Sequence, residues 1–413
     1  MRALPAFRRT VTRRGFLTGG ARAAGGALLG FGVLRAGRAA LASPPAPAPK
    51  GMKTRVLGSR TGLVVSEIGF GGYPVRDPVV LDRAIDLGIT YVDTSDDYRD
   101  GDSERVIGEV MARRRKDVVL ATKIHPWSRH TKAEILAMLE ASLKRLRCDH
   151  VDVLQVHQVG RASGAGDGNG GGDPYDRLSN PALHEAFALA RRQGKARFLG
   201  ATGHDGDLME VMHRAVDSGR FDVILCRYNL LDYPEQQALF ARAAKAGVGV
   251  TVMKTLAGAR KADLAALERG GASFAQAALR WVLDHPHVGC ALISIGSIAQ
   301  AEEYAGASGR PLSRADLELL ERWEARHGRE WCRMCQACES ACPAGLKVAD
   351  LLRGRLYAES HGDPGRGRAV WQAAAAAGGD PAACAGCPAP CLPACAWGVP
   401  VKQRLLGAPR LLA

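Results

Sequence analysis

The chain has 413 residues, more than one small domain needs, and its hydrophobic content of 46% is ample for a large core, which excludes a generally disordered protein. The net charge of +14 looks at first like a nucleic-acid signal. Residues 1–42, however, hold eight Arg and no acid, so the remainder carries only +6, without the basic, aromatic-laced stripe that a nucleic-acid partner needs.

At the start, Thr12-Arg13-Arg14-Gly15-Phe16-Leu17 precedes a Gly/Ala-rich, mildly apolar stretch, and Ala40-Leu41-Ala42 offers a small-residue cleavage site. The proline-rich run after it cannot continue a helix. The pattern resembles a twin-arginine export signal. That resemblance implies a signal peptide over 1–42, a linker over 43–53 and a periplasmic or otherwise extracytoplasmic protein, exported folded with any cofactor already inside. Arg22 interrupts the apolar stretch, and no later segment reaches the ~18–20 apolar residues of a membrane span, so none is expected in the mature chain.

From residue 54, short β-branched runs alternate with longer amphipathic stretches. The runs are 66–70, 90–94, 118–123, 151–157, 197–202, 222–228, 248–254 and 290–295. The helical stretches between them include 79–87, 103–114, 133–146, 181–193, 208–218, 234–246 and 273–283. Pro181 after Asn180 reads as a cap and start, and Gly88 and Gly247 as stops. Eight strands in strict alternation with helices predict parallel βαβ units, and eight repeats point to a closed (β/α)8 TIM barrel over 54–310. The open doubly wound alternative would need a G-x-G-x-x-G turn, which Gly69-Phe-Gly-Gly72 is not. Residues 160–173, almost all Gly, Ala, Ser and Asp, follow the fourth strand as either a substrate loop or an unstructured insertion.

Active groups of such barrels sit at the C-terminal strand ends. Asp93, Lys123 and His157 fall where the second, third and fourth strands end, and Tyr98 lies just beyond the second. Each alone reads as a structural residue, but together they form a coherent chemistry. Hydride delivery to a carbonyl leaves an alkoxide that a phenol can protonate. Lys123 stabilises the Tyr98 phenolate, Asp93 holds Lys123, and His157 polarises the carbonyl oxygen.

With these residues on the page, the chain resembles the aldo-keto reductases over about 54–308. The matches are Tyr91-Val-Asp-Thr-Ser-Asp-Asp-Tyr98, Ser103-Glu-Arg-Val-Ile-Gly108, Ala121-Thr-Lys123, Val153-Leu-Gln-Val-His157, Gly194-Lys-Ala-Arg197 with Gly200, and Tyr228-Asn-Leu-Leu231. The resemblance implies catalytic roles for Tyr98, Asp93, Lys123 and His157, and a NADP or NAD cofactor bound without a Gly-rich turn. Its nucleotide contacts would fall on Gly72, Asp93, Thr202, Met253, Lys254, Leu256, Ser294, Gln300 and Glu303. This sequence departs from the family at several of these places. A Ser-Asn pair is replaced by Thr202-Gly203 followed by His204, a Gln by Leu225 and a stacking Tyr by Met253, and the basic residue for a 2′-phosphate is missing near Ser294-Ile-Gly-Ser297. NAD and NADP both stay open. Some iron–sulfur-bearing relatives share the Gly-His and Met-Lys pairs.

A charged amphipathic stretch, 313–326, predicts a helix joining the barrel to the tail within 311–330. In 331–413, Cys332-x2-Cys335-x2-Cys338-x3-Cys342-Pro343 has bacterial ferredoxin spacing, in which the fourth Cys of a two-cluster protein ligates the other cluster. Cys384-x2-Cys387-x3-Cys391-x3-Cys395 is an imperfect copy, and Cys342-Pro-Ala-Gly-Leu-Lys-Val recurs about fifty residues on as Cys395-Ala-Trp-Gly-Val-Pro-Val. The pair resembles the ferredoxin-type extension of a subset of aldo-keto reductases and implies a small helical iron–sulfur (ferredoxin-like) module with one or two 4Fe-4S clusters. Disulfides and zinc remain alternatives. Two functions follow. The first is an exported oxidoreductase acting on a small carbonyl or alcohol, with a redox protein as candidate partner. The second is a non-enzymatic iron–sulfur subunit whose barrel binds a protein.

Overall fold

The computed structural model describes residues 51–412 apart from 74, 161–174, 204–207, 232–233, 260–263, 265–266 and 269–272. The expected export signal, His204 and almost all of the Gly-rich loop lie outside the described residues. Eight parallel strands close a barrel in the order β10-β3-β4-β5-β6-β7-β8-β9. They are β3 (Ile68–Gly71), β4 (Tyr91–Asp93), β5 (Val119–Ile124), β6 (Val151–Val156), β7 (Ala196–Thr202), β8 (Val223–Arg227), β9 (Gly249–Met253) and β10 (Cys290–Ser294). Closure comes from β10, which pairs with both β9 and β3.

Alternation along the strands separates two cores. Tyr91, Val119, Ala121, Val153, Phe198, Val223 and Leu225 fill the barrel interior. Val92, Leu120, Leu154, Leu199, Ile224 and Val250 face the surrounding helices. Local signals start those helices. Asp77 accepts from the Val79 amide, Thr131 and Glu134 form a reciprocal capping box, and Asn180 accepts from the Ala182 amide ahead of Pro181–Arg192.

The first expected strand, 66–70, is divided. An antiparallel hairpin, β1 (Thr54–Val56) with β2 (Val64–Ser66), precedes the barrel. The chain breaks at Glu67, whose buried carboxylate accepts from Arg55 Nε at 2.9 Å, Ser308 Oγ at 2.9 Å and the Gly309 amide at 2.7 Å. Leu57, Leu63 and Val65 of the hairpin join the interior core. Leu57 lies against Gly249 and Gly289, so it stops the barrel at the end where strands begin.

Helix Arg314–His327 packs on Phe274–Leu283. The Trp323 ring lies 5.3 Å from that of Phe274, and Arg280 grips Asp316 through Nε and Nη2 at 3.0 and 2.6 Å. It is thus a layer of the barrel as well as the joint to the tail. The described residues of the barrel and tail form one compact unit. In the tail, helices Val348–His361 and Pro364–Gly378 cross closely. A Cβ on Gly367 would come within 2.6 Å of the Gly354 carbonyl oxygen, so neither contact position admits a larger residue. Among the described residues no helix is long and apolar enough to cross a membrane.

Candidate active site

Strand register brings Asp93, Lys123 and His157 to the C-terminal rim. Asp93 ends β4, Lys123 is the fifth residue of β5, and His157 follows β6 directly. Tyr98 reaches the same place from the turn after β4. The Lys123 ammonium is buried and donates to Asp93 Oδ1, to the Thr94 carbonyl at 2.7 Å and to the Tyr98 hydroxyl at 3.1 Å. The other Asp93 oxygen accepts from Gln155 Nε2 at 2.7 Å. Gly200, paired with Gln155 across β6 and β7, leaves room for that side chain, because a Cβ there would sit 2.9 Å from Gln155 Cγ. The four expected catalytic residues are therefore together, and Gln155 holds the carboxylate from the far side.

His157 lies edge-on to Tyr98, with ring centroids 5.7 Å apart. Its Nδ1 is 2.9 Å from Ser95 Oγ and 3.3 Å from Asp97 Oδ1, and Ser95 Oγ itself donates to Asp97 at 2.7 Å. Asp97 was not singled out in the sequence, although it lies in the segment ending at Tyr98. Gln158 Nε2 also donates to it, at 3.0 Å. Ligand atoms of Asp96, Asp97, His125 and His157 all lie within 4.8 Å of one another. That quartet is held by its own hydrogen bonds and by a guanidinium, that of Arg366, 3.2 Å from Asp97.

Electrostatics sort the protons. Burial works against the Lys123 ammonium, but Asp93 and Tyr98 outweigh it and raise its pKa above the ordinary lysine value. Burial lifts the Tyr98 phenol, and Lys123 lowers it by less. The cation has the expected sign, but desolvation is larger, and Tyr98 rests as the protonated acid. Burial pushes His157 down to about 3 against the pull of Asp97, so the imidazole is neutral.

A cavity of about 320 Å³ opens at this rim, within the range of small-molecule sites. Asp93, Tyr98, Leu225, Met253, Lys254, Leu256, Ser294 and Gln300 line it from the barrel. Three expected nucleotide contacts are not among its lining. Gly72 is enclosed, its amide donating to the Asp93 carbonyl at 2.8 Å. Thr202 is buried at the end of β7. Glu303 accepts from Ser273 Oγ at 2.6 Å. Lys254 stands in left-handed backbone at φ +59°, and its carbonyl accepts from Asn229 Nδ2 at 3.0 Å. Burial lowers the Lys254 pKa, Tyr357 opposes this, and Arg353, Arg366 and Arg227 add to it.

The tail supplies the other wall. Trp331, Cys332, Met334, Tyr357 and Arg366 line the same cavity. Trp331 lies against Gly258, where any side chain would run into the indole. Tyr73 donates its hydroxyl to Asp363, which caps the helix carrying Arg366. No local motif marks these tail residues, so sequence reasoning missed them.

Six of the eight tail cysteines, all but Cys335 and Cys387, belong to one apolar cluster, and none of the eight is disulfide-bonded. Burial raises the thiols of Cys332 and Cys338 to about 11 and about 12. The cysteines whose charges act on these two are, besides each other, Cys335 and Cys395. Cys384 and Cys391 sense Cys342 and Cys387 more strongly than Cys395, and Cys342, Cys384, Cys387 and Cys391 line one small pocket. The fourth cysteine of each run therefore sits with the other run's first three. The repeat read in the sequence recurs in the backbone. Gly345 and Gly398 have φ +64° and +65°, and each donates its amide to the carbonyl of the cysteine three residues earlier at 3.1 Å.

A (β/α)8 barrel with a buried Lys–Tyr–Asp set at its catalytic rim defines an oxidoreductase. Residues 76–266 match the aldo/keto reductase family. It is 29% identical over 294 residues to an L-galactose dehydrogenase of Arabidopsis thaliana, covering 62% of this chain and 88% of that protein. It is 28% identical over 262 residues to a methylglyoxal reductase of Escherichia coli, covering 59% and 82%. Among solved structures, an aldo-keto reductase from Klebsiella pneumoniae in complex with NADPH aligns with a TM-score of 0.53 at 26% identity, covering 66% of this chain and 94% of that one. An aldo-keto reductase from Bacillus halodurans aligns with a TM-score of 0.51 at 26% identity, covering 66% and 96%.

Proposed function

We propose that the chain is an exported reductase that interconverts a small carbonyl and its alcohol with NADP(H) or NAD(H), and that its tail carries two 4Fe-4S clusters. The observation that carries the first part is the Lys123–Tyr98 contact, buried on the protein side and opening on the cavity. When bound, a reduced nicotinamide would supply the hydride. The residues present fit such a group: Met253 offers a thioether to a ring face, Lys254 a cation to a phosphate and Gln300 an amide at the far end. Tyr98 donates its proton to the carbonyl oxygen as negative charge develops there. Lys123 stabilises the phenolate left behind, and Asp93, fixed by Gln155, keeps Lys123 in place. Neutral His157 packs edge-on beside Tyr98 and does not itself line the cavity. Trp331 and Tyr357 help to exclude water.

The cysteine arrangement supports clusters over zinc. Thiolates around one tetrahedral ion at about 2.3 Å would stand roughly 3.8 Å apart. Among the described residues no three cysteine sulfurs lie within 4.8 Å of one another. The exchange of the fourth cysteines fits a two-cluster ferredoxin.

The test is Tyr98→Phe in full-length protein purified without air. NADPH-dependent reduction of methylglyoxal, followed at 340 nm, should vanish while NADPH binding persists. Turnover at the native rate in this variant would remove Tyr98 from the mechanism.

A further inference from the structure

We propose that Arg366, a residue of the cysteine-rich tail, is a substrate-binding residue of the barrel site, and that the site takes 2-oxo acids and 2-hydroxy acids by gripping their carboxylate. This rests on the carbonyl-reductase reading above and names its substrate class.

Arg366 sits two residues inside the helix Pro364–Gly378, whose first turn is tied to the barrel through Asp363 and Tyr73. Its guanidinium carbon stands 5.6 Å from the Tyr73 ring centroid, 6.0 Å from that of Tyr98 and 5.1 Å from that of Tyr357. Three aromatic rings therefore fix the orientation of a side chain that lines the cavity. The guanidinium's only hydrogen-bonding partner among the described residues is Asp97, which takes one nitrogen, Nη2, at 3.2 Å. The charge of Asp97 is shared with Ser95, Gln158 and His157. Nε and Nη1 of Arg366 have no partner among the described residues, and one of them with the second hydrogen of Nη2 completes the planar fork that suits a carboxylate.

The remaining lining argues the same way. Arg227, Lys254 and Arg366 face the cavity, and the one carboxylate there, Asp93, is already paired with Lys123. In a 2-oxo acid one carbon–carbon bond separates the carboxylate from the carbonyl. A carbonyl oxygen held at the Tyr98 hydroxyl thus keeps the carboxylate close by, and the Arg366 guanidinium carbon stands 6.0 Å from the Tyr98 ring centroid. The reaction balances without a new reactant. A bound reduced nicotinamide would supply the hydride for the carbonyl carbon, Tyr98 would give its proton to the oxygen, and the carboxylate would leave unchanged.

The experiment compares pyruvate and phenylpyruvate with their neutral methyl esters, in the cluster-loaded full chain, as ratios of kcat/KM. Binding of oxamate, an unreactive analogue of a 2-oxo acid, is measured separately by quenching of tryptophan fluorescence. The native protein should prefer acid to ester by on the order of 10–100-fold, the contribution of a charge-assisted hydrogen-bond pair. Arg366→Gln should erase that preference and weaken oxamate by a similar factor. Arg366→Lys, which keeps the charge and the packing, should restore part of both and so guards against misfolding. Equal use of acid and ester by the native protein, with oxamate binding indifferent to the variants, overturns the proposal. So does a loss of NADPH affinity in Arg366→Gln equal to the loss of acid turnover, because the anion gripped would then be the nucleotide's phosphate. If neither acid nor ester is reduced, the reductase reading fails, and the oxamate titration alone decides for or against the anion site.

Discussion

Replacing Lys123 by Met tests the buried ion pair and the chemistry together. The side chain is 1% exposed and its partner Asp93 5%, so the variant keeps the volume but strands a carboxylate that Gln155 still supports. Breaking one side of such a pair costs about 3–5 kcal/mol. Burial already lifts the Asp93 carboxyl, and loss of the ammonium lifts it further. Between an unfolded pKa of about 3.9 and that raised folded value, the folded variant binds the extra proton, so its stability falls as pH rises through the window. Urea unfolding should therefore show the full deficit at pH 8 and a smaller one at pH 5, each pKa unit being worth about 1.4 kcal/mol. Turnover should drop by ~10²–10³, as when one electrostatic stabiliser of a transition state is removed. A deficit below about 1 kcal/mol, or one that does not change with pH, would refute the pairing argument.

Double variants read the cysteine grouping through iron content. Cys332→Ser with Cys395→Ser should lose half the iron, and Cys332→Ser with Cys342→Ser nearly all; the reverse pattern would mean unexchanged ligands. Gly258→Val meets both φ +72° and the Trp331 indole, so it should lift Trp331 and red-shift its emission, with stability lower by at least about 1 kcal/mol. Burial holds folded His157 near 3, whereas an unfolded imidazole takes a proton near 6.5, so native stability is lost as pH falls from about 6.5 toward 3. His157→Gln should make that acid loss shallower, and an unchanged slope in urea titrations would count against a neutral buried imidazole.

The barrel was legible because its signals are local and repeated. Each of the eight runs pairs inward residues such as Tyr91 and Val119 with outward ones such as Val92 and Leu120, and caps such as Asn180 mark helix starts. The hairpin was not, because Val64–Ser66 and Ile68–Gly71 read as one apolar run until Glu67 finds its partners far along the chain at Ser308 and Gly309. Asp93, Tyr98, Lys123 and His157 could be picked out from strand ends alone. Asp97 sat unmarked beside Tyr98, since an aspartate in an acidic turn looks solvated until Arg366, 269 positions later, reaches it. Long-range meetings of this kind carry no periodicity and no spacing.

The wall shared by Trp331, Tyr357 and Arg366 makes the chain's two halves inseparable as working parts. A fragment ending near residue 312 would keep every strand of the barrel yet present an unroofed, water-filled bowl. Ligand scope, resistance to solvent and the iron chemistry of the tail would then have to be inherited and altered as one.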